Sequence, residues 1–471
     1  MLPSAAEVVA KFLRTNGYNE TLASFIKEAG LAPDVGTASS NITIEQVLEE
    51  KQKFDLSLNF EKLGLEQSHG WTEPEPRTSN VVTTLPTESN ILSVHSIHVV
   101  LEVATGPKHC VAVTTADRKL HLIDPATPDL SLLKTYSDFQ DSPLLDLIVL
   151  EQRYLLVASM SGKMTVFDAS QDRVVDERRD HKKYVVKIIA WPEEHSTIIA
   201  SAGWDSKVLL YRFKTGSGID TKIGDPFATI NLTSIPECIT FIPAVDTSLP
   251  ILLVTRRDST FLHYYSIPAA TTDAEVCFLG RQNLAPHSNA WVAFTPSDVQ
   301  ICPTDPSLAA IATSSTPHMK LIVVRLLVPP SSKAMPDLST DLDAATTQRT
   351  GLDSSQSLTQ AALARAELAT QNREEAAITI NCNTMATQTA YSTPKLVWRP
   401  DGSGIYVNSD DGIVRGFEAT TGKLMASLKA HGAGSKVRCL VAIPPNLNED
   451  ATKELLVSGG FDQKLIVWNS N

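Results

Sequence analysis

A histidine, a serine and an aspartate recur at comparable spacing in two stretches of this 471-residue chain. His181, Ser201 and Asp205 form one set; His431, Ser458 and Asp462 form the other. These residue types are the parts of a hydrolase relay, in which a base activates a hydroxyl nucleophile. A catalytic trio is needed once, however. A duplicated one points to a hydrogen-bond network that repeats with the element hosting it. Other catalytic patterns fail on spacing. Ser161-Gly162-Lys163 lacks the earlier glycine and the following Ser/Thr of a phosphate loop. No nucleophile elbow and no H-E-x-x-H occurs. His95 and His98 sit in a strand pattern without adjacent ligands, and Asp410-Asp411 falls in a turn, where aspartate bonds local backbone. No catalytic residue, metal or cofactor is expected, and the chain reads as a non-enzyme.

The hosting element is clearest at Leu455–Asn469, LLVSGGFDQKLIVWN: an apolar strand, a glycine-bearing turn, and a β-branched and aromatic strand. Two strands cannot bury both faces alone, so the unit must be repeated to be stable. Ile198–Phe213 is its closest copy, with Ser201 on Ser458, Asp205 on Asp462 and Tyr211 on Trp468. Weaker copies lie at Val111–Asp124, Leu155–Asp168, Leu252–Tyr265 and Ile405–Glu418, with a degenerate one at Ala309–Leu326. The period of roughly 40–50 residues is that of propeller blades, and the count is about seven.

These copies resemble the WD-repeat family from about Val81 onward. The resemblance implies an all-β, seven-bladed propeller over 80–471. It also implies a His–Ser–Asp–Trp network in the good blades: His431, Ser458, Asp462 and Trp468 in the last, and His181, Ser201, Asp205 and Tyr211 in the third. The last blade lacks an outer strand before Asn471, and Val81–Leu85 is expected to supply it and close the ring. Residues 329–377 interrupt the pattern as an excursion from the fifth blade. They are Ser/Thr/Asp/Pro-rich at first and helix-favouring over Ser357–Ala376, and Ala377–Cys382 then completes the blade.

The N-terminal residues 1–66 read as a separate helical module. Apolar residues recur at helical spacing at Val8, Val9, Phe12 and Leu13, and again at Leu22, Phe25 and Ile26. Gly17 ends the first helix and Asn19 is expected to cap the second. A further helix is expected from Thr43, which opens a capping box with Gln46, to about Asn59. The pattern F-L-x-x-x-G-Y-x-x-T-x-x-x-F resembles the LisH motif. That resemblance implies homodimerisation through Val9, Phe12, Leu13, Gly17, Tyr18, Thr21, Leu22 and Phe25. Folding back onto the propeller is the alternative covering for these faces. Residues 67–79, with Pro74 and Pro76, read as a linker.

The net charge of −12 argues against nucleic acid or an anionic membrane as the main ligand. Six cysteines without a C-x-x-C pair fit reduced thiols. With no signal peptide or membrane span recognised, an intracellular place, cytoplasm or nucleus, is expected. What remains is surface. The residues before the turn aspartates, Ala116, Trp204, Arg257, Asp410 and Phe461, share one ring-like position on one propeller face. Trp204, Arg257 and Phe461 are the candidates for binding a protein or peptide. The expected function is a dimeric protein-interaction scaffold. The layout also resembles dynein regulators, corepressor subunits and ubiquitin-ligase subunits.

Overall fold

The computed structural model describes residues 5–37, 43–44, 70–102, 106–127, 130–214, 222–269, 275–288, 294–330, 360–444 and 454–470. Two compact units emerge. One comprises residues 1–66 with 350–376; the other comprises 67–349 with 377–471.

The larger unit contains seven four-stranded antiparallel sheets. Six are built from strands consecutive in sequence, at 91–136, 144–178, 185–231, 236–283, 295–387 and 396–429. The seventh joins Val437–Ile443, Leu455–Gly460 and Leu465–Asn469 to Thr78–Val81 from the start of the unit. The first strand of each sheet touches the first strand of the next, and the seventh touches the first, so the ring is closed. The chain is a seven-bladed β-propeller.

Packing between blades explains the sequence pattern. Ile97, Leu120 and Leu122 of blade one meet Leu147, Val157 and Phe167 of blade two, and similar apolar layers fill the other described clefts. Second strands are covered on both faces, so they read as continuous apolar runs. Tyr154–Ser159 is buried at every position. The outermost strands are half-covered and alternate with solvent.

The closing strand lies earlier than expected. Thr78, Ser79, Asn80 and Val81 pair with Asn469, Trp468, Val467 and Ile466, Val82 keeps one backbone bond to the Leu465 carbonyl, and residues 83–85 leave the sheet. An outer edge faces water, so polar residues pair there. Val82 and Leu85 instead fill the cleft between blades seven and one. Within the stretch read as a linker, residues 70–77 lie against the propeller. Trp71 stands edge-on to Tyr406 at 5.7 Å, with the Arg399 guanidinium 4.6 Å above its ring. The last strand of blade five, Ile378–Thr387, completes its sheet; in sequence it follows a helix at Gln360–Ala377 that belongs, up to residue 376, to the smaller unit. The Ser/Thr/Asp-rich part of the excursion, 331–356, lies outside the described residues.

In the smaller unit, α1 (Ala5–Thr15) and α2 (Asn19–Glu28) form a helical hairpin. Gly17 has φ +75°, and the N–H groups of Gly17 and Tyr18 donate to the carbonyls of Arg14 and Leu13, closing α1 in a Schellman motif. Asn19 is not the cap. It is the first helical residue, and the N-cap position is Tyr18, without a side-chain cap bond. The turn's own left-handed glycine sets the entry to α2, leaving no extended residue for a polar side chain to cap from. Of the helix expected over Thr43 to Asn59, all but Thr43 and Ile44 lies outside the described residues.

Candidate interaction surface

The two trios sit where the loop before a blade's first strand meets the turn between its second and third strands. In blade seven, His431 Nδ1 lies 3.0 Å from Asp462 Oδ1 and its Nε2 lies 2.8 Å from Ser458 Oγ. Trp468 Nε1 donates to Ser458 Oγ at 2.9 Å, and the Gly432 N–H donates to Asp462 Oδ2 at 2.9 Å. Blade three repeats the frame: His181 Nδ1 to Asp205 Oδ1 is 3.0 Å, and Nε2 to Ser201 Oγ is 2.8 Å. There the Tyr211 hydroxyl donates to Asp180 Oδ2 at 3.0 Å, beside the histidine. Ser201 and Ser458 are fully buried, so no substrate reaches either hydroxyl. Burial alone would raise the Asp462 carboxyl; the Gly432 N–H and His431 outweigh it and hold the carboxyl below its usual range. Gly203 and Gly460 touch these rings so closely that a Cβ would collide with the histidine and the aspartate. Their spacing, two residues after Ser201 and Ser458, is a local signal of the network that sequence reasoning passed over.

Other residues of chemical interest are occupied structurally. Gly162 has φ +84° and abuts the His181 and Lys183 carbonyls, while Lys163 pairs with Glu177 at 2.6 Å. His98 stacks on His109 at 4.6 Å. Asp411 is held by Arg415 at 2.6 Å. Among the described residues, no group of three or more His, Cys, Asp or Glu side chains could hold a metal. None of the described helices is long and apolar enough to cross a membrane.

One backbone bond places the ring of turn residues. The N–H groups of Ala116, Trp204, Arg257 and Phe461 donate to Asn90, Tyr184, Ile235 and Lys436, each just before its blade's first strand, whereas in blade six Asp410 donates to Thr387, the end of the preceding blade's last strand. Met160 makes the same bond, to Pro143, and is the blade-two member that lacks a turn aspartate to mark it. The structure brings Trp204 and Arg257 together. Arg257 Cζ sits 5.4 Å over the indole, and Tyr184 stacks against the same indole at 5.2 Å. Glu237 holds Arg257 at 2.7 Å. Phe461, 42% exposed, stands on blade seven, on the far side of the ring from blades three and four. Tyr184, just before a first strand, and Glu237, at the bulge inside one, were missed because no repeated aspartate marks the register there.

The fold and this loop face define a closed propeller whose polar clusters tie its own turns, with a helical hairpin in the other unit. The chain belongs to the UCP007778 family: that family's beta-propeller domain matches residues 77–469, and its LisH domain matches residues 7–32, where the two short helices lie. No curated protein matches the chain. Among solved structures, it is similar to Saccharomyces cerevisiae Sqt1, with a TM-score of 0.53 at 12% identity over 84% of this chain and 99% of that one. That likeness is one of fold.

Proposed function

We propose that this protein is a non-enzymatic scaffold that pairs with a second copy through its LisH helices and holds protein partners on the turn face of its propeller. The observation that carries the reading is the Tyr184–Trp204–Arg257 stack across blades three and four. Tyr184 is 38% exposed and the Arg257 side chain 43% exposed, so the stack offers aromatic and cationic surface to a partner. Aromatic and arginine side chains contribute most to interfaces, and a pre-stacked pair loses little freedom on binding. Phe461 offers a second, separate contact on the same face.

Pairing is supported by the helices themselves. They run 11 and 10 residues, too short to stand alone in water. Val9, Phe12, Leu13 and Phe25 remain half-buried and Tyr18 is 53% exposed, while Leu22 is covered. A second hairpin would cover that stripe as a four-helix bundle. Two linked propellers would then raise apparent affinity for a two-site partner by about 10²–10⁴. The six unbridged cysteines fit an intracellular place.

Sedimentation of the full chain and affinity capture with mass spectrometry test the two halves separately. The full chain should run as a dimer at micromolar concentration, and Phe12→Asp with Leu13→Asp should make it monomeric. Trp204→Ala with Arg257→Ala should leave the melting temperature nearly unchanged yet strip captured proteins away. A monomeric wild type ends the pairing half; unchanged capture ends the surface half.

A further inference from the structure

The first strands of the blades line the central channel, and six of them carry a register shift near their start. The shifts fall between Ile91 and Ser93, Leu144 and Asp146, Val185 and Lys187, Pro236 and Cys238, Pro296 and Asp298, and Val437 and Cys439. A bulge re-aims the side chains beside it. Here it brings charged groups to a cavity of about 350 Å³ along the channel.

Most of those charges are matched between neighbouring blades. Lys187 Nζ lies 3.6 Å from Asp146 Oδ2, and Lys395 Nζ lies 3.0 Å from Asp298 Oδ1. Each aspartate also accepts a backbone N–H from the next blade: Ile188 to Asp146 at 2.8 Å and Leu396 to Asp298 at 3.2 Å. His95 Nε2 is 3.3 Å from Asp146, and burial drives the imidazole down to about 4, so it adds no charge near neutrality.

Arg438, the residue skipped by the blade-seven bulge, breaks the matching. Its side chain lines the cavity, and among the described residues it has no hydrogen bond, ion pair or ring contact. The channel wall therefore carries Lys187, Lys395 and Arg438 against Asp146 and Asp298, an excess of one positive charge in a chain of net charge −12. A guanidinium does not shed its proton to escape the mismatch. Both aspartates are already engaged, so the wall offers Arg438 no carboxylate of its own.

We propose that the channel is a binding site for a small oxyanion of the phosphate class, gripped by Arg438 and flanked by Lys395 and Lys187. The planar guanidinium fork matches two oxygens of such an anion, and the low-dielectric wall strengthens each bond. The site has no part in the turn-face contacts and stands whether or not those bind a partner.

The test is thermal unfolding and calorimetric titration of the full chain with sodium phosphate, against sodium acetate and sodium chloride at matched ionic strength. Wild type, Arg438→Met, Arg438→Lys and a surface control, Lys222→Gln, are compared. Saturating phosphate should raise the wild-type and control melting temperatures by about 2 °C over chloride. Arg438→Lys should keep part of the shift. Arg438→Met should lose it while melting, without phosphate, at or above wild type, because an uncompensated charge has been removed. An equal phosphate response in wild type and Arg438→Met overturns the site, as does a wild type indifferent to phosphate. An acetate response as large as the phosphate response overturns the assignment of ligand class.

Discussion

His95 is a residue whose ionisation the fold controls closely. It faces Asp146 across 3.3 Å, with Lys187 and Lys395 also acting on it. Burial lowers its pKa to about 4; Asp146 opposes that shift, and the two lysines reinforce it. Because 21% of the side chain stays open to the channel, water softens the burial penalty. The unfolded imidazole, near 6.5, takes up its proton before the folded one as pH falls. Stability is therefore whole above about 6.5 and declines toward about 4. Burial lowers His109, His121 and His431 as well, and these add in the same direction. Asp117, held at about 2 because hydrogen bonds from Thr115 and Lys119 outweigh its burial, weakens the fold only in stronger acid. Denaturant titrations at pH 7 and pH 5 should differ by on the order of 1 kcal/mol more in wild type than in His95→Gln. A variant with an unchanged pH slope would show that His95 is not a source of the loss.

At the scale of elements, the strap at 70–77 explains two glycines that a strand would not otherwise favour. A Cβ on Gly404 or Gly416 would collide with the Trp71 indole; for Gly416 the nearest indole carbon would be 2.7 Å away. The strap is tied at several further points. The Trp71 backbone N–H donates to Glu418 at 3.1 Å, and Arg399, itself held by Glu454 at 2.8 Å, donates to the Thr72 carbonyl at 2.7 Å. Gly416→Val should cost about 1–3 kcal/mol by overpacking. The same change should cost less after Trp71→Ala, since the indole is gone while the Tyr406 ring, 2.8 Å from the added Cβ, remains. Urea unfolding of the four-member cycle measures the coupling. Strict additivity would mean that the indole does not occupy this cradle in solution.

For the whole molecule, closure is the feature on which the rest of the propeller depends. Thr78–Val81 covers the open edge of Leu465–Asn469, which would otherwise present unpaired backbone to other chains. Removal of residues 1–69 should leave propeller unfolding cooperative. Removal of residues 1–81 should take away the strap and the latch together, cost on the order of 5 kcal/mol in lost burial, and turn the protein aggregation-prone. Calorimetry with light scattering distinguishes the two truncations. Equal melting temperatures without scattering would show that the ring holds without its latch.

The repeating unit was legible in the amino-acid order because its determinants are local: apolar runs, a turn with a fixed aspartate, and a histidine one loop upstream. The same locality exposed the two-helix hairpin, through apolar spacing and Gly17. It blurred at the closing strand, where apolar character pointed to Val81–Leu85 although a solvent-facing edge selects Thr78–Val81. What only the tertiary structure decided are the meetings between blades. Trp204 meets Arg257, Asp146 meets Lys187, and Trp71 meets Gly416 across 345 residues of chain, while Arg438 is left without a counter-charge. Such contacts depend on ring closure and on bulges that re-aim side chains, and no short-range pattern in the chain encodes either.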